Sequence, residues 1–230
     1  MRLTPFSKNT FFLLLAFNFL IQNSTAQEQL QQNTWTAVFA DYELDSVSNV
    51  RLEVHYRTRD FFGGLEQTII RPSFVRKLNK QISLSGGYSF LGNVIAGETL
   101  TENNLWEQVF YSIPLQKTTF FGWIRAEQRW MENTIGDINY EGRLRFRIGV
   151  RQPLFNIKNE SVEFMAFDEL FMITKDLLPH TFNQNWAFIG LRTRLAPNTV
   201  LVSGYQRNTL AKGDNRVHIN IWSSILLIAL

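Results

Sequence analysis

Apolar and polar residues alternate along most of the chain with a period of two. In "EGRLRFRIGVRQPLF", residues 141–155, Arg143, Arg145 and Arg147 are separated by single apolar residues. This alternation is typical of a β-strand with one polar and one apolar face. Runs of roughly ten residues with this character, rich in Val, Ile, Phe, Tyr, Trp and Thr, recur along the chain. They predict strands at 35–44, 50–60, 66–78, 81–93, 104–115, 119–131, 141–154, 160–173, 183–196, 198–209 and 215–227.

The connections between these runs alternate in length. Short ones are "DSVSN", "LNK", "LQK", "NIKN" and "APN", and longer ones are "DFFGGL", "GNVIAGETLTEN", "ENTIGDIN", "TKDLLPHT" and "TLAKGDN". Transmembrane β-barrels show this alternation of tight turns and longer loops, and strands of ~9–11 residues match a tilted crossing of the bilayer. Helix-period patterning is absent after the N-terminal segment. The predicted fold class is therefore all-β, a transmembrane antiparallel up-and-down β-barrel of about 10–12 strands.

Two details affect the strand count and the pairing. Eleven runs is an odd number, whereas bacterial single-chain barrels have an even number of strands. We therefore expect either that 35–44 is a partial strand or an inner segment, leaving ten strands, or that a further short strand is present. Pro72 lies inside the third run and cannot donate a ladder hydrogen bond, so we expect a bulge or a shifted strand boundary there.

The polar faces of the runs predict a barrel lumen lined by arginine and glutamate. A soluble two-sheet sandwich would also accept the alternation, with its charges facing water. The number of arginines, and their mixture with glutamates, favours a polar lumen and an apolar face toward lipid. The predicted lumen charge network consists of Arg51, Glu53, Arg57, Arg125, Glu127, Arg129, Arg143, Arg145, Arg147, Glu169, Arg192 and Arg194.

The last run, 215–227, is interpreted by the same rule. Arg216, His218 and Asn220 lie on its polar face and Ile219 and Ile221 on its apolar face. Alternation therefore predicts that His218 faces the lumen, where a carboxylate is its expected hydrogen-bond partner.

The N-terminal segment has the layout of a secretory signal peptide. Arg2 and Lys8 precede an apolar stretch at 11–21 and a small-residue site at 24–26, and the apolar stretch is too short for a membrane span. The predicted domains are a signal peptide at 1–26 and a single barrel domain at 27–230. Without Arg2 and Lys8 the basic residues fall from 23 to 21 against 20 acidic ones, so the charge balance gives no indication of nucleic acid as a partner.

Catalytic and metal-binding patterns are lacking in the sequence. Only His55, His180 and His218 could serve as a histidine base, and no Gly-x-Ser-x-Gly arrangement accompanies them. The absence of cysteine excludes thiolate metal sites and disulfides. Acids such as Glu98 and Glu102 are interpreted as solvated loop residues. We therefore expect no enzyme, no cofactor and no bound metal.

Several motifs resemble a known family. "WIRAEQRW" at 123–130, "EGRLRFRIGVRQPL" at 141–154, "FMAFDELF" at 164–171, "FNQNWAFIGLRTRL" at 182–195 and "LVSGYQRN" at 201–208 are similar to successive blocks of the DUF2490 family of uncharacterised bacterial proteins, common in Bacteroidota. The chain departs from the family pattern at Asp168, where Asn is usual, and at Trp186, where Arg is frequent. The resemblance implies an outer-membrane barrel and leaves the activity open.

These observations together predict an exported outer-membrane β-barrel that is structural or handles a small solute, with an anion as the candidate solute. Outer-membrane lipid and the barrel-assembly machinery are the expected partners. Two alternatives remain open: a lipid-modifying outer-membrane hydrolase or acyltransferase, which needs a serine and a histidine to meet on the lipid-facing wall, and a soluble periplasmic β-sandwich that binds a ligand.

Overall fold

The computed structural model describes residues 31–157, 160–175, 177–213 and 215–230. The predicted signal peptide at 1–26 lies outside these residues. All regular structure in the described ranges is β-strand, as the alternation and the abundance of β-branched and aromatic residues predict. No helix in the described ranges is long and apolar enough to cross a membrane.

Eleven strands form a single sheet. They are β1 (Gln31–Glu43), β2 (Ser48–Thr58), β3 (Leu65–Lys77), β4 (Ile82–Ile95), β5 (Glu98–Leu115), β6 (Thr118–Glu132), β7 (Ile138–Ile157), β8 (Glu160–Lys175), β9 (Leu178–Ala196), β10 (Thr199–Lys212) and β11 (Asn215–Ala229). Each strand pairs with its neighbours in sequence, and β1 pairs with β11 to close a barrel. This confirms the predicted all-β barrel of 10–12 strands, and a single closed sheet is incompatible with the alternative two-sheet sandwich.

The barrel closes through a parallel pair of strands. Ten antiparallel steps leave β1 and β11 pointing the same way, so they can pair only in parallel, with Gln31 opposite Ile219 and Asp41 opposite Ala229. Our expectation that 35–44 is a partial strand or an inner segment is wrong, because β1 is a full wall strand that bonds to both β2 and β11. Because β1 and β11 pair in parallel, the eleven described strands close the barrel and no twelfth strand is needed.

The two rims of the barrel carry short connections. The C-terminal rim holds the turns at 44–47, 78–81 and 116–117 and the end of β11, and the N-terminal rim holds the start of β1 and the connections at 59–64, 96–97 and 133–137. Within the C-terminal rim, Asp45 Oδ1 accepts the N–H groups of Val47 and Ser48, each at 2.8 Å. The hydrogen bond from Val47 is the main cause that lowers the pKa of the Asp45 carboxyl.

The predicted long loops at 92–103 and 174–181 are mostly strand. β4 and β5 run to a two-residue turn at Ala96 and Gly97, whose φ angles of 52° and 90° are those of a type I′ hairpin turn. β8 extends to Lys175 and β9 begins at Leu178. The sequence interpretation ended these strands at residues typical of turns, such as Gly92 and Lys175, whereas a hairpin continues for as long as both strands can pair.

Pro72 does not produce the expected bulge. The β2–β3 ladder continues through it in register, with Leu52 opposite Pro72. On its other side the β3–β4 pairing passes from Ile70 to Ser73 without a change of register. Pro72 therefore interrupts only the pairing with β4 and leaves the register of β3 unchanged, because only its missing N–H has to be accommodated.

Candidate functional site in the barrel lumen

The lumen contains a cavity of about 1080 Å³, lined by inward side chains of all eleven strands. A volume of this size is at the upper end of the usual range for small-molecule sites. Charged side chains line it along β1 to β3, β5 to β7 and β9, whereas the residues of β4, β8, β10 and β11 that line it are uncharged. The charged part is therefore the candidate functional site.

A central charge cluster of Glu127, Arg143, Arg145, Arg147 and Glu169 joins β6, β7 and β8. Arg145 bridges both acids, with Nη1 2.8 Å from Glu127 Oε1 and Nη2 2.7 Å from Glu169 Oε1. Arg143 Nη2 lies 2.5 Å from Glu127 Oε2, and Arg147 Nε donates to Glu169 Oε2 at 2.8 Å. The exposed fractions of Glu127 and Glu169 are 3% and 0%. Buried carboxylates require such paired, hydrogen-bonded partners.

The strand register explains why these acids are needed. Arg125 on β6 lies directly opposite Arg145 on β7, and like charges at opposed positions destabilise a sheet. Glu127 lies 3.9 Å from Arg125 Nη1 and offsets this repulsion. Arg125 also donates from Nε to Gln108 Oε1 at 2.8 Å and stacks on the Trp106 ring at 4.2 Å.

A second buried cluster links β2, β3 and β4. Glu53 Oε2 accepts from Arg71 Nη1 at 2.9 Å and lies 3.2 Å from His55 Nε2. Arg71 Nε donates to Ser89 Oγ at 2.8 Å. Arg71 is absent from the predicted network. It lies two residues from the buried Ile69 and therefore on the same inward face of β3. The proline at the next position obscured the face assignment of this run.

Arg129 has acidic partners that the sequence interpretation missed. Its Nε lies 2.7 Å from Glu102 Oε1, and its Nη1 pairs with Glu141. Glu102 is 5% exposed, so its interpretation as a solvated loop acid is wrong. β5 begins at Glu98 rather than at 104, and this extension carries Glu102 into the lumen wall.

The remaining predicted residues form separate pairs toward the C-terminal rim. Arg51 Nη2 lies 2.8 Å from Asp41 Oδ2, and Arg192 Nη1 lies 2.9 Å from Glu163 Oε2. Arg194 has a side chain that is 46% exposed. The structure therefore does not bring Arg51, Arg192 and Arg194 into the central charge cluster.

Aromatic and arginine side chains meet across the lumen around Trp186 of β9. Its ring centroid lies 5.2 Å from that of Trp35 on β1 and 4.7 Å from that of Phe171 on β8. Arg57 on β2 stacks on Trp35 at 3.9 Å and lies 5.4 Å from Trp186, while Arg145 lies 5.5 Å from Trp186. β2 and β9 are four strands apart around the wall, so these contacts span the lumen and narrow it. Trp186, at a position where the family resemblance leads us to expect arginine, is the centre of this crossing.

The predicted orientation of β11 is wrong. Ile219 and Ile221 face inward and are 9% and 1% exposed, and Ile219 lines the cavity. Successive strand residues alternate between faces, so Arg216, His218 and Asn220 face outward. The described residues of β10 and β11 include no aspartate or glutamate, so an inward arginine there would lack the neighbouring carboxylate that a buried charge needs.

His218, Ser203 and Ser224 lie on the outer face of β10 and β11, away from the central charge cluster. His218 Nδ1 lies 3.0 Å from Thr209 Oγ1. Ser203 Oγ lies 2.8 Å from Ser224 Oγ, six positions along β10 from Thr209. Among the residues that the structure describes, no group of three or more His, Cys, Asp and Glu side chains could hold a metal ion. The lumen chemistry is therefore that of arginine, carboxylate and aromatic side chains.

Comparison with known proteins gives one match. The family model described as "Protein of unknown function (DUF2490)" matches residues 32–218, which cover all strands up to the start of β11. No curated protein and no solved structure matches the chain.

Proposed function

The chain belongs to the DUF2490 family, and we propose that it is an outer-membrane β-barrel with a structural role, whose lumen is closed by its own side chains. The observation that carries this proposal is the inverted polarity of the β6–β8 wall. Glu169 is fully buried inside, whereas Ile148 on the adjacent strand is 63% exposed outside. A charged interior and an apolar exterior are the pattern of barrels that cross an outer membrane.

The exterior of the opposite wall supports the same proposal. Leu52, Val54 and Tyr56 on β2 are 44%, 45% and 52% exposed in a continuous outward row. Ile70 and Phe74 extend that apolar surface on β3, at 50% and 47%. Soluble monomers rarely expose contiguous apolar surface on this scale. Lipid is the environment that such a wall fits, and a closed sheet leaves no unpaired edge in hydrocarbon.

The lumen contacts support a barrel that does not conduct. Arg57, Trp35 and Trp186 meet across the lumen, and the central charge cluster fills the adjoining wall. Small barrels are commonly filled by their interior side chains. The arginines then act by cross-linking neighbouring strands through buried carboxylates, which stiffens the wall.

Fractionation and gel migration test the membrane proposal. The mature protein, expected to begin near Gln27, should fractionate with the outer membrane and migrate differently before and after boiling in SDS. N-terminal sequencing of the extracted protein checks the cleavage site. Recovery of the protein in the soluble periplasm, with no heat-dependent change in migration, would contradict the proposal.

Planar-bilayer recording tests closure of the lumen. We expect no steady conductance from the refolded protein. A steady conductance would show an open pore and overturn the closed-lumen proposal. Anion preference in that pore would then favour solute passage along the arginines.

Binding of a small anion inside the lumen is a second candidate function. Among the described residues, Arg57 Nε is buried without a hydrogen-bond partner, and Arg57 Nη1 donates to a neutral partner, Gln67, at 2.6 Å. A guanidinium with a spare donor is suited to a carboxylate or phosphate. Inorganic phosphate should raise the unfolding temperature of the wild type and not of Arg57→Gln, and an equal shift in both would exclude this site.

A further inference from the structure

The outer face of β9–β11 contains a groove of about 460 Å³. We call it the outer groove. Its volume lies within the range of small-molecule sites. The surface inside it is almost entirely apolar, and it opens on the side of the wall that faces away from the lumen. The lining residues are Ile189, Gly190, Leu191, Thr193, Leu201, Ser203, Gly204, Tyr205 and Trp222.

The backbone of β9 and β10 forms the floor of the outer groove. Gly190 lies directly opposite Gly204. Both positions face the lumen side, because Ser203 and Tyr205, the neighbours of Gly204, face outward. A Cβ on Gly190 would lie 2.4 Å from the Ser203 carbonyl oxygen, so the lumen side of this floor has no room for a larger residue. Ser203 adds only a hydroxymethyl group on the outer side. The larger side chains of Tyr205 and Trp222 therefore stand beside a low floor.

A row of polar residues adjoins the groove toward the N-terminal rim. Asp168, Arg207 and Asn220 lie in one line across β8, β10 and β11, with Ala187 of β9 between Asp168 and Arg207, and we call these three residues the polar row. Arg207 follows Tyr205 on the same outward face, about 6.6 Å along the strand. In a membrane-facing wall such polar residues are costly and mark functional sites by default.

Contacts within the polar row leave its two ends different in charge. Asp168 Oδ1 accepts from Asn185 Nδ2 at 2.8 Å, which holds the only carboxylate of the row at the β8 end. Tyr205 Oη donates to Asn220 Oδ1 at 2.5 Å, so the Asn220 amide group remains able to donate. Arg207 and Asn220 lie close to the groove, and the five N–H donors of an arginine allow Arg207 to bind a phosphate in addition to its protein neighbours. Arg216 lies farther along the same face of β11.

We propose that the outer groove and the polar row together bind one anionic membrane lipid. One acyl chain lies in the groove against Leu191, Leu201 and Trp222, and the phosphate of the headgroup accepts hydrogen bonds from Arg207 and Asn220. The arginine fork offers paired donors of the geometry that phosphate oxygens accept. This inference rests on the proposed function, because the face meets lipid only if the barrel spans a membrane.

Native mass spectrometry of the detergent-folded protein tests the inference with three probes. Lysophosphatidylglycerol has one acyl chain and a net negative headgroup, lysophosphatidylcholine has the same chain and a zwitterionic headgroup whose choline compensates the phosphate charge, and inorganic phosphate lacks the chain. We expect retention of one lysophosphatidylglycerol molecule, with weaker retention of lysophosphatidylcholine and none of phosphate.

Two variants separate the chain from the headgroup. Arg207→Leu should weaken lysophosphatidylglycerol binding by about tenfold or more, the usual effect of losing a charged hydrogen bond, and should change lysophosphatidylcholine binding less. Ser203→Phe fills the groove floor and should weaken both lipids. Gln128→Leu, an outward polar-to-apolar change on β6, is the matched control and should bind as the wild type does.

The outcomes distinguish this inference from the proposed function. A protein that fails to float with lipid vesicles contradicts the membrane proposal itself. A protein that floats and shows heat-dependent migration, but whose Arg207→Leu and Ser203→Phe variants bind lysophosphatidylglycerol like the wild type, contradicts the lipid site alone. Equal retention of inorganic phosphate would likewise exclude the acyl-chain contribution.

Discussion

The wall formed by β6–β8 and the wall formed by β10–β11 differ in the charge of their inner faces. Arg145 and Glu169 face inward on the first wall, where Ile148 faces outward, whereas Ile221 faces inward on the second and Asn220 faces outward. Both walls show the same period-two alternation in sequence. The difference teaches that alternation defines two faces without deciding which one is buried.

The presence of carboxylates explains the difference between the walls. Each buried arginine of β7 has Glu127 or Glu169 in hydrogen-bonding distance on an adjacent strand. The described residues of β10 and β11 carry Arg207 and Arg216 but no acid. Burial of an uncompensated charge is strongly unfavourable, so these strands turn their uncharged side inward.

The largest expected effect is the loss of a shared carboxylate from the β6–β8 wall. Glu169→Gln removes the partner of both Arg145 and Arg147, and we expect a loss of ~3–5 kcal/mol in the free energy of unfolding. Glu107→Gln, the same change at an exposed outward position of β5, is the control. Urea unfolding in lipid vesicles measures both, and equal losses would contradict the buried network.

A smaller loss of unfolding free energy is expected when a charge is placed on the outer face of the β6–β8 wall. Ile148→Arg places a cation on the exterior of β7 and should cost ~2 kcal/mol, the lower end of the range for an arginine in the bilayer, because Asp168 of β8 lies directly opposite. Asn220→Leu makes the opposite change on the exterior of β11 and should cost under ~1.5 kcal/mol, because it removes one hydrogen bond from Tyr205. A larger loss for Asn220→Leu than for Ile148→Arg would reverse the assigned orientations.

The sequence predicted the closed all-β barrel and the inward face of β6 and β7 because Arg and Glu alternate there in matching positions. It did not predict the orientation of β11, where the polar residues His218 and Asn220 suggested the lumen. The decisive feature, the lack of acids on both β10 and β11, becomes meaningful only when the pairing of strands is known.

The predicted network was incomplete for a related reason. Glu102 was left out of the predicted network because the predicted strand begins at 104. Pairing with β4 and β6 extends β5 toward Glu98 and includes Glu102. The contacts of Trp186 with Trp35 and Arg57 connect strands that are distant in sequence. Such contacts depend on barrel curvature and closure, which a period-two pattern does not encode.

Removal of a buried apolar side chain from the inner face of β11 should lower the unfolding free energy less than the loss of Glu169 does. Ile221→Ala leaves a cavity at a position that is 1% exposed, and we expect a loss of ~2 kcal/mol or more in unfolding free energy. Ile124→Ala on the exterior of β6, where Ile124 is 51% exposed, is the control. A smaller loss at Ile221 than at Ile124 would indicate that Ile221 faces lipid.

The smallest expected effect is at the C-terminal rim. Arg194 lies 3.8 Å from Glu160, and the two side chains are 46% and 35% exposed. Exposed ion pairs contribute little, so Arg194→Gln should change the unfolding free energy by less than ~1 kcal/mol. A loss comparable to that of Glu169→Gln would mean that the rim and the central charge cluster form one cooperative network.

Site-directed spin labelling tests the assigned orientation of the two walls most directly. The chain contains no cysteine, so Ile148→Cys, Asn220→Cys and Ile221→Cys each provide a single labelling site. In lipid vesicles, labels at positions 148 and 220 should be accessible to dissolved oxygen from the bilayer, and the label at 221 should be immobilised and shielded. An accessible label at 221 together with a shielded label at 220 would contradict the account.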